Sequence, residues 1–148
     1  MIIRELEEKD LEAVSAICMA AFTQSVADSL SQQGIATFAT VATSEAFGER
    51  MHEDNVILVA ESDGEVQGVV ELKEGRHVAM LFVLPGQQKK GIGTKLLSTV
   101  LKQARVTSVT VKASLSSVPA YQKYGFKCTG EVGEAAGLVY QPMEMQLN

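Results

Sequence analysis

Residues Met80 to Leu97, MLFVLPGQQKKGIGTKLL, constrain the fold of this chain more than any other stretch. The apolar run Met80-Leu81-Phe82-Val83-Leu84 has the length of a buried strand. Pro85 and Gly86 end it, because proline cannot donate to a ladder. After Gln88-Lys89-Lys90-Gly91-Ile92-Gly93, apolar residues at Ile92, Leu96, Leu97, Val100, Leu101 and Ala104 repeat with the helical period. A strand, a glycine turn and a helix start in that order form an anion cradle. The first helical amides have no internal partner, and the helix dipole adds positive charge there. Gly91 and Gly93 admit a phosphate close to the backbone, and Lys89 and Lys90 add charge. The same residues also suit a plain strand-to-helix turn with two solvated lysines. Two familiar phosphate loops fail: Ile92 stands where a P-loop needs lysine, and Leu96 where a dinucleotide GxGxxG needs its third glycine.

The flanking segments supply the rest of the fold. Ile2-Ile3-Arg4 reads as a short strand, and Asp10 as the cap of a helix burying Leu11, Val14, Ile17, Cys18, Ala21 and Phe22. The Ser/Thr/Ala-rich stretch that follows predicts a second helix over Ser31 to Thr43, with Phe38 and Val41 inward. Val56 to Ala60 and Val66 to Leu72 flank Asp63-Gly64, the strongest short hairpin signal. His77 to Leu84 returns as the strand that feeds the loop, completing an antiparallel meander. A helix over Thr94 to Arg105 and a strand over Val106 to Ala113 imply a βαβ crossover. A short helix runs from a cap at Ser117 through Tyr124 and ends at Gly125, and strands follow over Phe126 to Val132 and Leu138 to Leu147.

Two separated blocks now point the same way. Val83-x-Pro85-x-x-Gln88-x-x-Gly91-Ile92-Gly93 with Leu96-Leu97 resembles the acyl-CoA-binding motif of the GNAT (GCN5-related) N-acetyltransferases. Tyr121-Gln-Lys-Tyr-Gly125-Phe126 is similar to that family's C-terminal Tyr-x-x-x-Gly-Phe. The resemblance implies one domain over residues 1–148 with the α/β fold of that family. It is a mixed, mostly antiparallel sheet, splayed at the coenzyme A site, with helices on both faces. It also implies transfer of an acetyl group from acetyl-CoA to a primary amine by direct attack in a ternary complex. A non-catalytic acyl-CoA-binding module on the same fold is the alternative, since fold does not fix function.

Composition limits the partners. A length of 148 residues suits one core, and no apolar run reaches the length of a membrane span. The start of the chain, MIIRELEEKD, lacks the apolar region of a signal peptide, so a cytoplasmic location is expected. Cys18 and Cys128 lie far apart and read as free thiols, and no metal cluster is evident. The net charge of −5 argues against nucleic-acid binding. Relatives often pair as homodimers.

The resemblance assigns roles residue by residue. The pyrophosphate of coenzyme A sits on the amides from Lys89 through Lys90, Gly91, Ile92 and Gly93 to Thr94, with Gln88 at the entrance. Pantetheine pairs with the main chain at Leu81, Phe82 and Val83, an amide near Val83 donating to the thioester carbonyl. Ser114 and Ser117 fall where relatives contact the pantetheine arm, and both also suit turn or capping serines. The acceptor must lose a proton, because an amine of pKa near 10.4 is almost wholly charged at pH 7. His77 stands at the position of the family's strand glutamate and is the candidate base; it also suits a surface histidine at a strand end. Glu71 is the second candidate. Tyr121 falls on the tyrosine that protonates the leaving thiolate, with a packed helix residue as the alternative. Phe22, Phe38 and Phe47 either line the acceptor site or belong to the core. Lys89 replaces a common glycine, and Lys112 a common asparagine, which suggests that Lys112 approaches a phosphate of coenzyme A.

Overall fold

Asp63 and Gly64, at φ of 53° and 80°, make the tight turn between β2 (Asn55–Ser62) and β3 (Glu65–Lys73). The chain then returns as β4 (His77–Val83), so the predicted meander is present. The structure is a computed structural model and describes residues 1–148, apart from the side chain of Ser29. With β1 (Ile2–Glu5), β5 (Ser108–Ala113), β6 (Lys127–Cys128), β7 (Gly133–Ala135) and β8 (Leu138–Gln146), the sheet runs β1-β2-β3-β4-β5-β8-β6, with β7 on β8. Only β4 and β5 pair in parallel among these strands.

Helices cover both faces, which is why β2 and β3 are apolar on successive residues. On one face α1 (Leu11–Ser25), α2 (Gln32–Val41) and α3 (Ser44–Arg50) bury Val14, Phe22, Phe38 and Phe47 against Ile57, Val59, Val69 and Met80. On the other, α4 (Ile92–Val100) and α5 (Val118–Tyr124) bury Leu96, Val100 and Tyr121 against Leu58, Val70, Leu72, Val78 and Val111. Each of these leucines or phenylalanines contributes about 2 kcal/mol through burial. The mixed α/β architecture with an open sheet is the one expected.

Several local expectations are corrected. The second helix stops at Val41, which is exposed, and Thr43 then caps α3 by accepting from the Ala46 amide at 3.0 Å. Asp10 does not cap α1 with its side chain. It accepts from the Glu7 amide at 2.8 Å and from the Arg4 guanidinium at 2.8 and 3.0 Å, and that cation holds it below the usual carboxylate range. α4 gives way to a 3-10 turn over Leu101–Gln103, and β5 starts at Ser108 because Val106 faces solvent. In the segment expected as a strand to Val132, the ladder takes in Lys127 and Cys128 and ends where the Thr129 amide donates to the Pro142 carbonyl at 2.9 Å. No helix among the described residues is long and apolar enough to cross a membrane.

Candidate active site

β4 and β5 pair at two positions, His77 with Thr110 and Val78 with Val111, and then part. The cause lies one residue on. Glu71 faces Met80 while Leu72 faces Val78, so Ala79 is an extra residue in β4. Such a bulge bends its strand and sharpens its twist. It also reverses the alternation: Val78, Leu81 and Val83 share the α4 face, and Met80 and Phe82 the opposite one. Leu84 donates its amide to the Gln67 carbonyl at 2.8 Å, which sets the pairing phase. The amides and carbonyls of Met80 and Phe82 therefore turn to β3, and those of Leu81 and Val83 turn into the gap.

The glycine loop closes the gap at one end. Gln88 lies across its entrance, its side-chain amide donating to the Val83 carbonyl at 3.2 Å. Lys90 reaches back to Gln87 at 3.2 Å, while Lys89 makes no side-chain hydrogen bond or ion pair among the described residues. Gly91 caps α4 at φ 84°, and a β-carbon on it would meet nothing, so it is the backbone angle that calls for glycine. Lys89 holds φ 65° with a side chain in place. Ile92 and Gly93 are buried and pin the helix start, while Thr94 is exposed. No side chain caps α4, so its first amides face outward.

α5 approaches this helix start. A β-carbon on Gly93 would come within 2.7 Å of the Tyr124 hydroxyl, which also lies beside Thr94. Tyr121 packs edge-on to Tyr124 and Phe126, at 5.8 and 5.4 Å between centroids. Its hydroxyl takes no hydrogen bond among the described residues, and burial pushes its pKa up. Ser114 and Ser117 bond to each other through their hydroxyls at 2.5 Å, and neither caps its helical turn.

On the other face the side chains are polar. His77 Nδ1 lies 2.8 Å from Thr110 Oγ1, leaving Nε2 for another partner. Burial, then the cations Lys112, Arg76 and Lys73, hold the His77 pKa below its usual value, so the ring is neutral at pH 7. Lys112 projects opposite Val111 and Ala113, away from α4, with Nζ 5.0 Å from the Tyr140 ring centre. It turns away from the glycine loop instead of approaching it. Glu71 is buried against Arg50, whose Nε donates to its carboxylate oxygens at 3.0 and 3.2 Å. Burial raises the Glu71 pKa and Arg50 opposes the shift.

Phe22 and Phe38 stack at 4.0 Å and, like Phe47, belong to the core. Phe82 meets Phe38 edge-on at 5.4 Å and is half-buried. α2 reaches across the gap: the Thr37 hydroxyl donates to the Ala136 carbonyl at 2.7 Å, and a β-carbon on Gly34 would collide with the Gly137 carbonyl. The gap is thus roofed by α2 and the β7–β8 turn. Arg50, Thr110, Tyr124 and Tyr140 were not singled out from the sequence, for their roles arise from contacts between distant segments.

Residues 26–147 match the family described as the acetyltransferase (GNAT) domain. The chain is 28% identical over 125 residues to the uncharacterized N-acetyltransferase YafP of Escherichia coli K12, covering 84% of this chain and 80% of that protein. It superimposes on a GCN5-related N-acetyltransferase of Rhodopseudomonas palustris with a TM-score of 0.87 at 24% identity, over 99% of this chain and 95% of the other. PaiA N-acetyltransferase of Thermoplasma acidophilum, solved with coenzyme A, gives 0.79 at 22% identity over 98% of both chains. These two structures share the fold.

Proposed function

We propose, from the premise that the chain belongs to the GNAT acetyltransferase family, that it transfers the acetyl group of acetyl-CoA directly to a primary amine of a small-molecule or peptide acceptor. Family membership makes it an acyltransferase; the donor, the ternary complex and the residue roles are our reading. The observation that carries it is the parting of β4 from β5 beyond Val78, with the Leu81 and Val83 main chain turned into the opening. A pantetheine arm has amides that can pair with those groups. Entering past Gln88, it meets Val83 first and Leu81 last. The Leu81 amide is then the donor nearest the thioester carbonyl, where one such donor stabilises the oxyanion by about 3 kcal/mol. The outward amides from Lys89 to Thr94, with Lys89 beside them, take the pyrophosphate. Ser114 and Ser117 border the arm.

The amine nitrogen attacks the carbonyl carbon and forms the tetrahedral intermediate. His77 Nε2 takes the proton the amine loses, directly or through water. The C–S bond then breaks, and the Tyr121 phenol, kept protonated by burial, gives its proton to the thiolate. The two free cysteines suit a reducing cytoplasm. The test is an amine panel with acetyl-CoA, read by thiol release and by mass of the product. Acetylated amine is the expected result. Binding of acetyl-CoA with no product from any amine would leave a non-catalytic binding module.

A further inference from the structure

We propose that Lys112 selects the acceptor: its ammonium group, standing at the α2-side mouth of the split, pairs with a carboxylate carried by the amine substrate. This rests on the transferase reading above and names its substrate class.

Lys112 is the next residue of β5 after the last paired rung, on the face where His77 and Thr110 meet. It is exposed, yet its Nζ is held against Tyr140, and Tyr140 is itself backed by Gly133, where a β-carbon would come within 2.8 Å of the phenol oxygen. An ammonium group on a ring face is fixed in place without losing its charge. Lys112 makes no ion pair among the described residues.

Two of the carboxylates on this face are already engaged. Glu71 is buried against Arg50, and Glu144 accepts from the Ser108 hydroxyl at 3.2 Å. Lys73, across β4 from Lys112 and paired in register with His77, is a second cation with no ion pair among the described residues. A chain of net charge −5 thus presents the ammonium groups of Lys112 and Lys73 at the opening proposed to hold the thioester. That field repels a polyamine and draws in an amine with an anionic group, such as an amino acid or the C-terminal side of a short peptide. Lys112, on β5, is the cation that borders the gap.

The experiment compares matched amines with and without a carboxylate: L-lysine against cadaverine, L-ornithine against putrescine, glycylglycine against glycinamide, with spermidine as the polycation. For the wild type, kcat/KM is expected to favour the carboxylate member of the best pair by about tenfold or more, the worth of one charge-assisted hydrogen bond. Lys112→Met should reduce that ratio to about twofold, mainly through KM, and Lys112→Arg should keep most of it. Acetyl-CoA affinity by calorimetry should be the same in all three, which also reports that they fold. A ratio unchanged in Lys112→Met, or spermidine as the best substrate of the wild type, overturns the assignment while leaving the transferase reading intact. Absence of turnover with every amine overturns both.

Discussion

His77 Nδ1 and Thr110 Oγ1 meet at 2.8 Å on the last rungs that join β4 to β5 before the sheet opens. The bond orients the ring and leaves Nε2 pointing elsewhere. His77→Gln should lower kcat by about a hundredfold, within the usual range for a general base, with acetyl-CoA affinity unchanged. Thr110→Val, which loses only the orienting bond, should lower it less. Steady-state kinetics at saturating donor distinguishes the two.

The acid limb of kcat/KM should fall below the ordinary histidine value of about 6.5, because burial and the nearby cations disfavour the imidazolium. Removing one of those cations in Lys112→Met should move the limb to higher pH. A limb that stays in place would separate it from His77.

Tyr121→Phe should divide chemistry from packing. The ring stays in its aromatic cluster, and the hydroxyl makes no hydrogen bond among the described residues, so stability should change by less than about 1 kcal/mol. The kcat value should fall by about a hundredfold. Equal wild-type and variant rates in an acetylation assay would return Tyr121 to the core.

Arg50→Ala leaves the buried Glu71 carboxylate without its partner and should cost about 3 kcal/mol in urea unfolding near pH 8. The folded-state pKa of Glu71 is already above its unfolded value. A carboxyl group raised in this way stabilises the fold fully below its unfolded pKa and loses that contribution as pH rises through its folded pKa. Without Arg50 the folded value rises further. The deficit of the variant should therefore shrink on acidification toward pH 5.

Gly91→Ala forces a side chain into the left-handed region and should cost about 1 kcal/mol, although the new methyl group meets nothing in the protein. Its effect on acetyl-CoA should be larger, about tenfold in Kd by calorimetry, if the pyrophosphate lies on these amides as proposed, because the methyl group would crowd it. Lys89→Gly should relieve the same kind of backbone strain at a residue that keeps φ 65°.

What the sequence disclosed was the part written in local chemistry. Pro85 and Gly86 ended a strand, Gly91 began a helix, and Asp63-Gly64 made a turn, because each acts on its own backbone. α3 has seven residues, too few for a period to emerge from a Ser/Thr/Ala-rich stretch. The bulge at Ala79 was hidden because β4 is apolar on both faces, so a skipped phase leaves no mark. Tyr121 and His77 could be named from motif position, but their surroundings could not. Arg50 lies 21 residues from Glu71, and Thr110 lies 33 from His77. Lys112 was expected at a phosphate because it replaces an asparagine common in the family, whereas strand alternation sends it to the opposite side.

The irregularity at Ala79 has an evolutionary corollary. Excision of that single codon would restore an unbroken register, and β4 could then zip to β5 along its length like an ordinary parallel neighbour. The product would keep every motif residue and gain hydrogen bonds, yet lose the opening proposed to take the thioester. Foldability and catalysis pull in opposite directions at this position, and sequence search alone would not tell the dead homologue from the living one.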